Sequence, residues 1–149
     1  MRFAGYAAVF GWADRGGDVV RAGAFARSLK RGGSVPLLLQ HRQGRAVGRI
    51  EYLREDGRGL RVIARLSGGA AGREAAALLR SGTAAGLSFG YRVRRSSGAG
   101  PRALEEVELV EISLVRVPMQ PKARVHAVEL PPSAGTMVKP GSGRFSGPS

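Results

Sequence analysis

Cysteine is absent from this 149-residue chain, so neither a disulfide nor a thiolate metal site is open to it. Histidine occurs twice, at His41 and His126, too few for a histidine-rich metal cluster. No metal and no cofactor is expected. Aromatic residues make up only 6% of the chain, and no obvious basic strand carries the stacked rings that hold single-stranded nucleic acid. No apolar run approaches the roughly 20 residues of a membrane helix. The opening MRFAGYAAVFGWAD has no long apolar stretch of the signal-peptide kind and reads as a strand. A place in the bacterial cytoplasm, or in something assembled there, is expected, with no membrane partner.

Acidic residues are scarce as well. Eleven Asp and Glu face 24 Lys and Arg, for a net charge of +13. Such a charge invites a nucleic-acid reading. The arginines, however, run from Arg2 to Arg144, and YRVRR is the densest short cluster. Dispersed, solvated arginines account for this pattern, and the abundance of Arg, Ala and Gly suits a GC-rich genome. No specific nucleic acid is expected. Hydrophobic residues at 43% and charged residues at 23% are ordinary for one globular domain with its own core.

Short strands separated by turns dominate the pattern. RFAGYAAVFG (2–11) reads as a strand and ADRGGD (13–18) as a turn. Residues 19–33 start extended and become a short helix, with Ala22, Phe25, Ala26 and Leu29 on one stripe and Gly32 at its end. SVPLLLQH (34–41) reads as a strand. AVGRIEYLRED and GLRVIARLS form a hairpin across Asp56-Gly57. AAGREAAALLRSG (70–82) is a helix with Ala71, Ala75, Leu78 and Leu79 on its apolar face. A strand follows over 86–95, a loop over 96–103, and the longest strand signal over 104–118. Beyond residue 129 the composition collapses to Pro, Gly and Ser, so 130–149 is expected to be a disordered tail on a 1–129 domain. About seven short strands, joined mostly by turns, predict an α+β fold with a mainly antiparallel, barrel-like sheet and two or more short helices.

Three polar residues sit in apolar surroundings. In EVELVEISLVRVP, alternation puts Val107, Leu109, Glu111, Ser113, Val115 and Val117 on one face, and Val110, Ile112 and Leu114 on the other. A strand apolar on both faces is central, so Glu111 is a buried carboxylate that needs a partner. Glu108, nearer the strand start, stays wet. His41 closes a strand and points with Val35, Leu37 and Leu39. Ser88, in GLSFGY, has only Gly86 and Gly90 as neighbours on its own face, while Leu87, Phe89, Tyr91 and Val93 alternate on the other. Each has an ordinary explanation: a salt bridge from Glu111 to one of the arginines, a core-edge histidine bonded to a carbonyl, and a small residue allowing close packing. Together they are the parts of a nucleophilic acyl-transfer site: a hydroxyl, a base for its proton, and an anion to fix the base's tautomer.

GYAAVFGWADRGGDVVRAGAFARSL resembles the opening of the prohead (head-maturation) proteases of tailed phages. VPLLLQH, IEYLREDGRGLRVIARL, GREAAALLRSGTAAGLSFGYRV and LEEVELVEISLVRVPMQPKARV resemble successive blocks of that family in the same order. The resemblance covers about 3–126, is most specific at GLSFGY and EISLVRVP, and extends to the related proteases of gene transfer agents. It implies a fold similar to the herpesvirus assemblins, with Ser88 as nucleophile, His41 as base and Glu111 as the third member, where assemblins place a second histidine. PMQPKA departs from the family's Pro-Asn-Pro-like stretch through Gln120, which bears on loop shape. Oxyanion-binding amides are expected near 115–118. The resemblance further implies a serine endopeptidase packed inside the immature capsid. Its substrate would be the N-terminal scaffolding segment of the major capsid protein, and in some cases itself. A homodimer is a further possible state, since assemblins are often switched on that way. A basic scaffold or nucleic-acid-binding component of the same particle, without catalysis, is the alternative.

Overall fold

Small and apolar residues fill RFAGYAAV, and this segment, buried along most of its length, forms β1 (Arg2–Val9). The computed structural model describes residues 1–129 and the backbone of Met137 and Val138. The tail expected over 130–149 otherwise lies outside the described residues; those two residues pair as β9 (Met137–Val138) against β8 (Val125–Glu129). The turn after β1 leads into β2 (Asp18–Val20) and α1 (Ala26–Arg31), which ends at Gly32 with a positive φ of 75°. The Glu55 carboxylate accepts the Gly23 and Phe25 amides at 2.7 and 2.8 Å, fixing the entry to that helix.

The hairpin expected across Asp56-Gly57 is present as β4 (Ala46–Glu55) and β5 (Gly59–Leu66). The Asp56 side chain accepts the Arg58 and Gly59 amides, which closes its turn. The second helix, α2 (Ala70–Arg80), buries Ala75 and Leu79. Then come β6 (Gly86–Ser97) and β7 (Arg102–Val115), which are longer at their shared end than the sequence suggests. The loop expected over 96–103 shrinks to 98–101 because both strands run on as a hairpin arm.

Strand β7 is central, as its two apolar faces predict. Strand β6 runs antiparallel along one edge of it. Along the other edge β2 pairs in parallel with its first part and β3 (Leu37–Leu39) in parallel with its last part. The sheet continues through β4, β5, β1 and β8. It curls until its ends meet: Leu87 N–H donates to Ala123 O and Val125 N–H to Ala85 O, both at 2.9 Å. The result is a mostly antiparallel, half-barrel sheet with two helices, and the parallel pairs around β7 are additions to the expected pattern. Inside it lie Phe3, Phe25, Leu37, Leu60, Leu79, Leu87, Leu104, Ile112 and Leu114, all essentially inaccessible. Each such side chain contributes about 1.5–3 kcal/mol relative to exposure. No helix among the described residues is long and apolar enough to cross a membrane.

Two departures from the expected pattern set the positions of the polar candidates. Strand β3 stops at Leu39, so His41 does not close a strand. And β7 carries a bulge: Gly90 faces Glu111 but Tyr91 faces Leu109, leaving Val110 as the extra residue, exposed to solvent. The edge of β7 changes partner there. Val107 N–H donates to Ala24 O and Leu109 N–H to Ser28 Oγ, on and just before α1, while residues 112–114 pair with β3. The bulge reverses the alternation. Leu109 joins Ile112 and Leu114 in the core, and Glu111, Ser113 and Val115 turn away from it together. The single continuous face expected from Val107 to Val117 is therefore broken at Val110.

Candidate active site

The residues after β3 leave the strand abruptly. Gln40 and His41 both have left-handed backbones, with φ of 53° and 58°. Non-glycine residues held this way carry strain of about 1–3 kcal/mol each, so the surroundings must hold them. Three bonds to the β7 strand and the residue after it do so. Gln40 N–H donates to Leu114 O at 2.9 Å, and His41 N–H donates to Ser113 Oγ at 3.1 Å. Arg116 N–H donates to Gln40 Oε1 at 2.7 Å. This turn swings the imidazole out of the core face that alternation assigned to it, with 46% of the side chain exposed.

Glu111 is buried, with only 4% of its side chain exposed. No arginine among the described residues pairs with it. Its Oε1 contacts His41 Nδ1 and its Oε2 accepts the Ser113 hydroxyl at 2.5 Å. The hydrogen bond to Glu111 raises the His41 pKa above its ordinary 6.5; partial burial opposes this and the carboxylate's charge adds to it. The salt bridge to an arginine and the carbonyl-bonded core histidine are thus both corrected: the two side chains are each other's partners.

Ser88 stands opposite Ser113 in the β6–β7 ladder. It is largely covered, yet lines a cavity of about 350 Å³ together with His41, Gln40, Phe89, Tyr91 and Val115. Arg15, Val117 and Met119 complete the wall. The bare positions beside Ser88 are explained by close approach. A Cβ at Gly90 would lie 2.5 Å from Glu111 Oε1, and one at Gly86 would lie 2.7 Å from Pro118 Cδ. Gly90 is therefore the space that the carboxylate occupies. The three sequence candidates converge: Ser88 and His41 share one cavity, and Glu111 backs the imidazole from inside the sheet.

His126 does not line this cavity. It packs beside Tyr6, with ring centroids 6.0 Å apart, and burial lowers its pKa, helped by Arg61 and Arg58. Gln120 is buried and clamps the end of β1 and the loop after it. Its side chain accepts the Val9 N–H at 2.5 Å and donates to Val9 O and Trp12 O at 2.6 and 2.9 Å. Sequence reasoning missed two contributors, Ser113 and Gln40. Ser113 lies two residues from Glu111 on the same face, a signal that was there to use; the left-handed turn at Gln40 leaves no trace in residue type. Among the described residues no group of His, Asp and Glu has the make-up of a metal site.

Chemically, a carboxylate at Nδ1 holds the imidazole in its Nδ1–H form and leaves Nε2 as a proton acceptor. Comparisons with known proteins bear on the family and the fold. The family model of the Caudovirus prohead serine protease matches residues 1–134. The prohead protease of Enterobacteria phage HK97 is 31% identical over 134 residues, which cover 85% of this chain and 60% of that protein. In fold, the chain is similar to varicella-zoster virus protease, with a TM-score of 0.54 at 17% identity over 84% of this chain and 62% of that one. It is similarly close to KSHV protease in complex with a hexapeptide phosphonate inhibitor, with a TM-score of 0.55 at 12% identity over 83% of this chain and 62% of that one. The chain thus spans about three fifths of the length of each of these proteins.

Proposed function

We propose a function from the premise that this chain belongs to the Caudovirus prohead serine protease family: it is a serine endopeptidase that matures a capsid. Ser88 is the nucleophile, His41 its general base and Glu111 the anion that orients the base. The observation that carries this reading is that His41, paired with Glu111, lines the cavity that Ser88 also lines. His41 Nε2 takes the Ser88 proton as the hydroxyl oxygen attacks a peptide carbonyl. The imidazolium, stabilised by Glu111, then gives that proton to the leaving amine. Water, activated by the same imidazole, releases the acyl group from Ser88.

The oxyanion needs backbone donors preset around it. The Arg116 N–H, within the 115–118 stretch where they are expected, is one. At present it serves the Gln40 amide oxygen at 2.7 Å, a carbonyl-type acceptor like the one a substrate would bring. In this reading a substrate displaces Gln40. The catalytic domain comprises residues 1–129, and the substrate is the scaffolding segment at the N-terminus of the major capsid protein, cut inside the assembling procapsid. Self-cleavage and a homodimer fit the same role. Co-expression with the capsid protein of its own gene cluster tests it. The capsid protein is shortened by wild type and stays full-length with Ser88→Ala. Undiminished shortening by Ser88→Ala overturns the assignment, and DNA binding with steep salt dependence in place of cleavage favours the basic scaffold instead.

A further inference from the structure

One cavity residue has no part in that chemistry. Arg15 lines the same wall as His41 and Ser88, and is exposed. Two bonds to the segment after β7 fix its position: its N–H donates to Met119 O at 2.8 Å, and its Nε donates to Pro118 O at 3.2 Å. That segment supplies Val117 and Met119 to the wall, both more than half exposed. Elsewhere the arginines gather on carboxylates, as around Glu51 and Glu108. Arg15 pairs with no carboxylate among the described residues.

The charges around it do not cancel it locally. Asp14 and Asp18 approach the Tyr91 side of the same wall. Asp18 is closed by a bidentate pair with Arg102, at 3.0 and 2.8 Å. Asp14 turns its Oδ1 onto the Gly16 and Asp18 amides, as a turn cap. His41 carries at most a positive charge. An exposed guanidinium anchored on a backbone carbonyl in the wall of a cleft with no free carboxylate among its lining residues is a preset partner for an anionic side chain.

Resting on the protease reading, we infer that Arg15 is a specificity-determining residue: it favours peptides with an Asp or Glu side chain close to the bond that is cut. The neighbouring Val117 and Met119 offer that peptide an apolar rim.

The test is a mixed peptide library, digested by the full chain and read by mass spectrometry. Wild type enriches Asp and Glu at one position beside the cleavage sites, about fivefold over Gln and Asn, the upper range for an exposed ion pair. Arg15→Gln flattens that position. Arg15→Glu turns it toward Lys and Arg while the other positions keep their profile. Should Arg15→Glu not fold, judged by its melting temperature, Arg15→Gln carries the comparison alone. Cleavage that depends on Ser88 but has the same profile in wild type and Arg15→Gln overturns this inference and leaves the protease reading standing. A library left uncut by wild type overturns both.

Discussion

Two carboxylates three residues apart on β7 have opposite surroundings. Glu108 sits on the outer side among Arg94, Arg92 and Arg31, and the hydrogen bond from Arg94 foremost holds its pKa below the usual range. Glu111 is buried, and among the described residues no Lys or Arg pairs with it. Its partners are a histidine ring and a serine hydroxyl. An arginine would neutralise Glu111 permanently. A histidine leaves it able to respond when a proton arrives nearby. Burial separates the two cases. An exposed carboxylate gathers whatever cations can reach it, at little gain each. A buried one must have partners fixed by the backbone, since leaving it unpaired costs several kcal/mol. The bulge at Val110 puts both carboxylates on the face away from the core, since without it Glu111 would turn with Leu109 into it; what separates them is the cover that the His41 turn and β6 lay over Glu111.

The strongest way to break this comparison starts at the serine. Ser88→Ala is expected to lower cleavage by at least three orders of magnitude with an unchanged melting temperature, measured on purified protein with a cleavable peptide. Next comes the pair itself. Glu111→Gln is expected to cost about a thousandfold in kcat, whereas Glu108→Gln leaves kcat within about twofold. Equal losses at the two positions would erase the distinction between them. Gly90→Ala should behave like Glu111→Gln, because its methyl needs the space the carboxylate holds.

A smaller effect is expected at Ser113. Its hydroxyl holds both the Glu111 carboxylate and the His41 backbone, so Ser113→Ala frees the pair to drift. About a tenfold loss in kcat with KM unchanged is expected, alongside destabilisation of about 1–3 kcal/mol from the unsatisfied carboxylate. Melting curves and steady-state kinetics on the same sample separate the two. If KM rises and kcat holds, Ser113 serves the substrate and not the pair.

The pH dependence sharpens the comparison further. His41 must be neutral to act as a base, and Glu111 raises its pKa, so kcat/KM should rise through an inflection above 6.5. Glu111→Gln should move that inflection down toward 6.5. The smallest expected effect is on stability, where the two histidines act in opposite directions. His41, with a raised folded pKa, contributes stability present below 6.5 and lost as pH rises through its folded value. His126, with a lowered one, leaves stability intact above 6.5 and costs it as pH falls below that. Melting temperature against pH for wild type, His41→Asn and His126→Asn resolves the two slopes; identical curves would remove both assignments.

The hairpin over β4 and β5, helix α2 and the centrality of β7 were legible because each depends on local pattern: Asp-Gly at a turn, apolar spacing on a helix, apolar residues on both faces of a strand. Ser88, His41 and Glu111 were legible as misfits, polar groups where periodicity wanted apolar ones. The orientation of two of them was not. His41 reaches Glu111 through two consecutive left-handed residues, and neither Gln nor His signals such a backbone. Glu111 reaches His41 because β7 exchanges β3 for α1 along one edge, and an exchange of partners between distant segments leaves no periodic mark on either.

By itself, then, the sequence determined the longer strands and the two helices, the burial of one carboxylate and the residue types available for proton transfer, but not the short strands β2, β8 and β9. The tertiary structure alone decided that His41 and Ser88 line one cavity with Glu111 bonded to the ring. Residues 41, 88 and 111 lie too far apart in the chain for local preference to relate them. What relates them is the pairing of β3 and β6 on opposite edges of β7, which fixes each side chain through hydrogen bonds the backbone has to make somewhere.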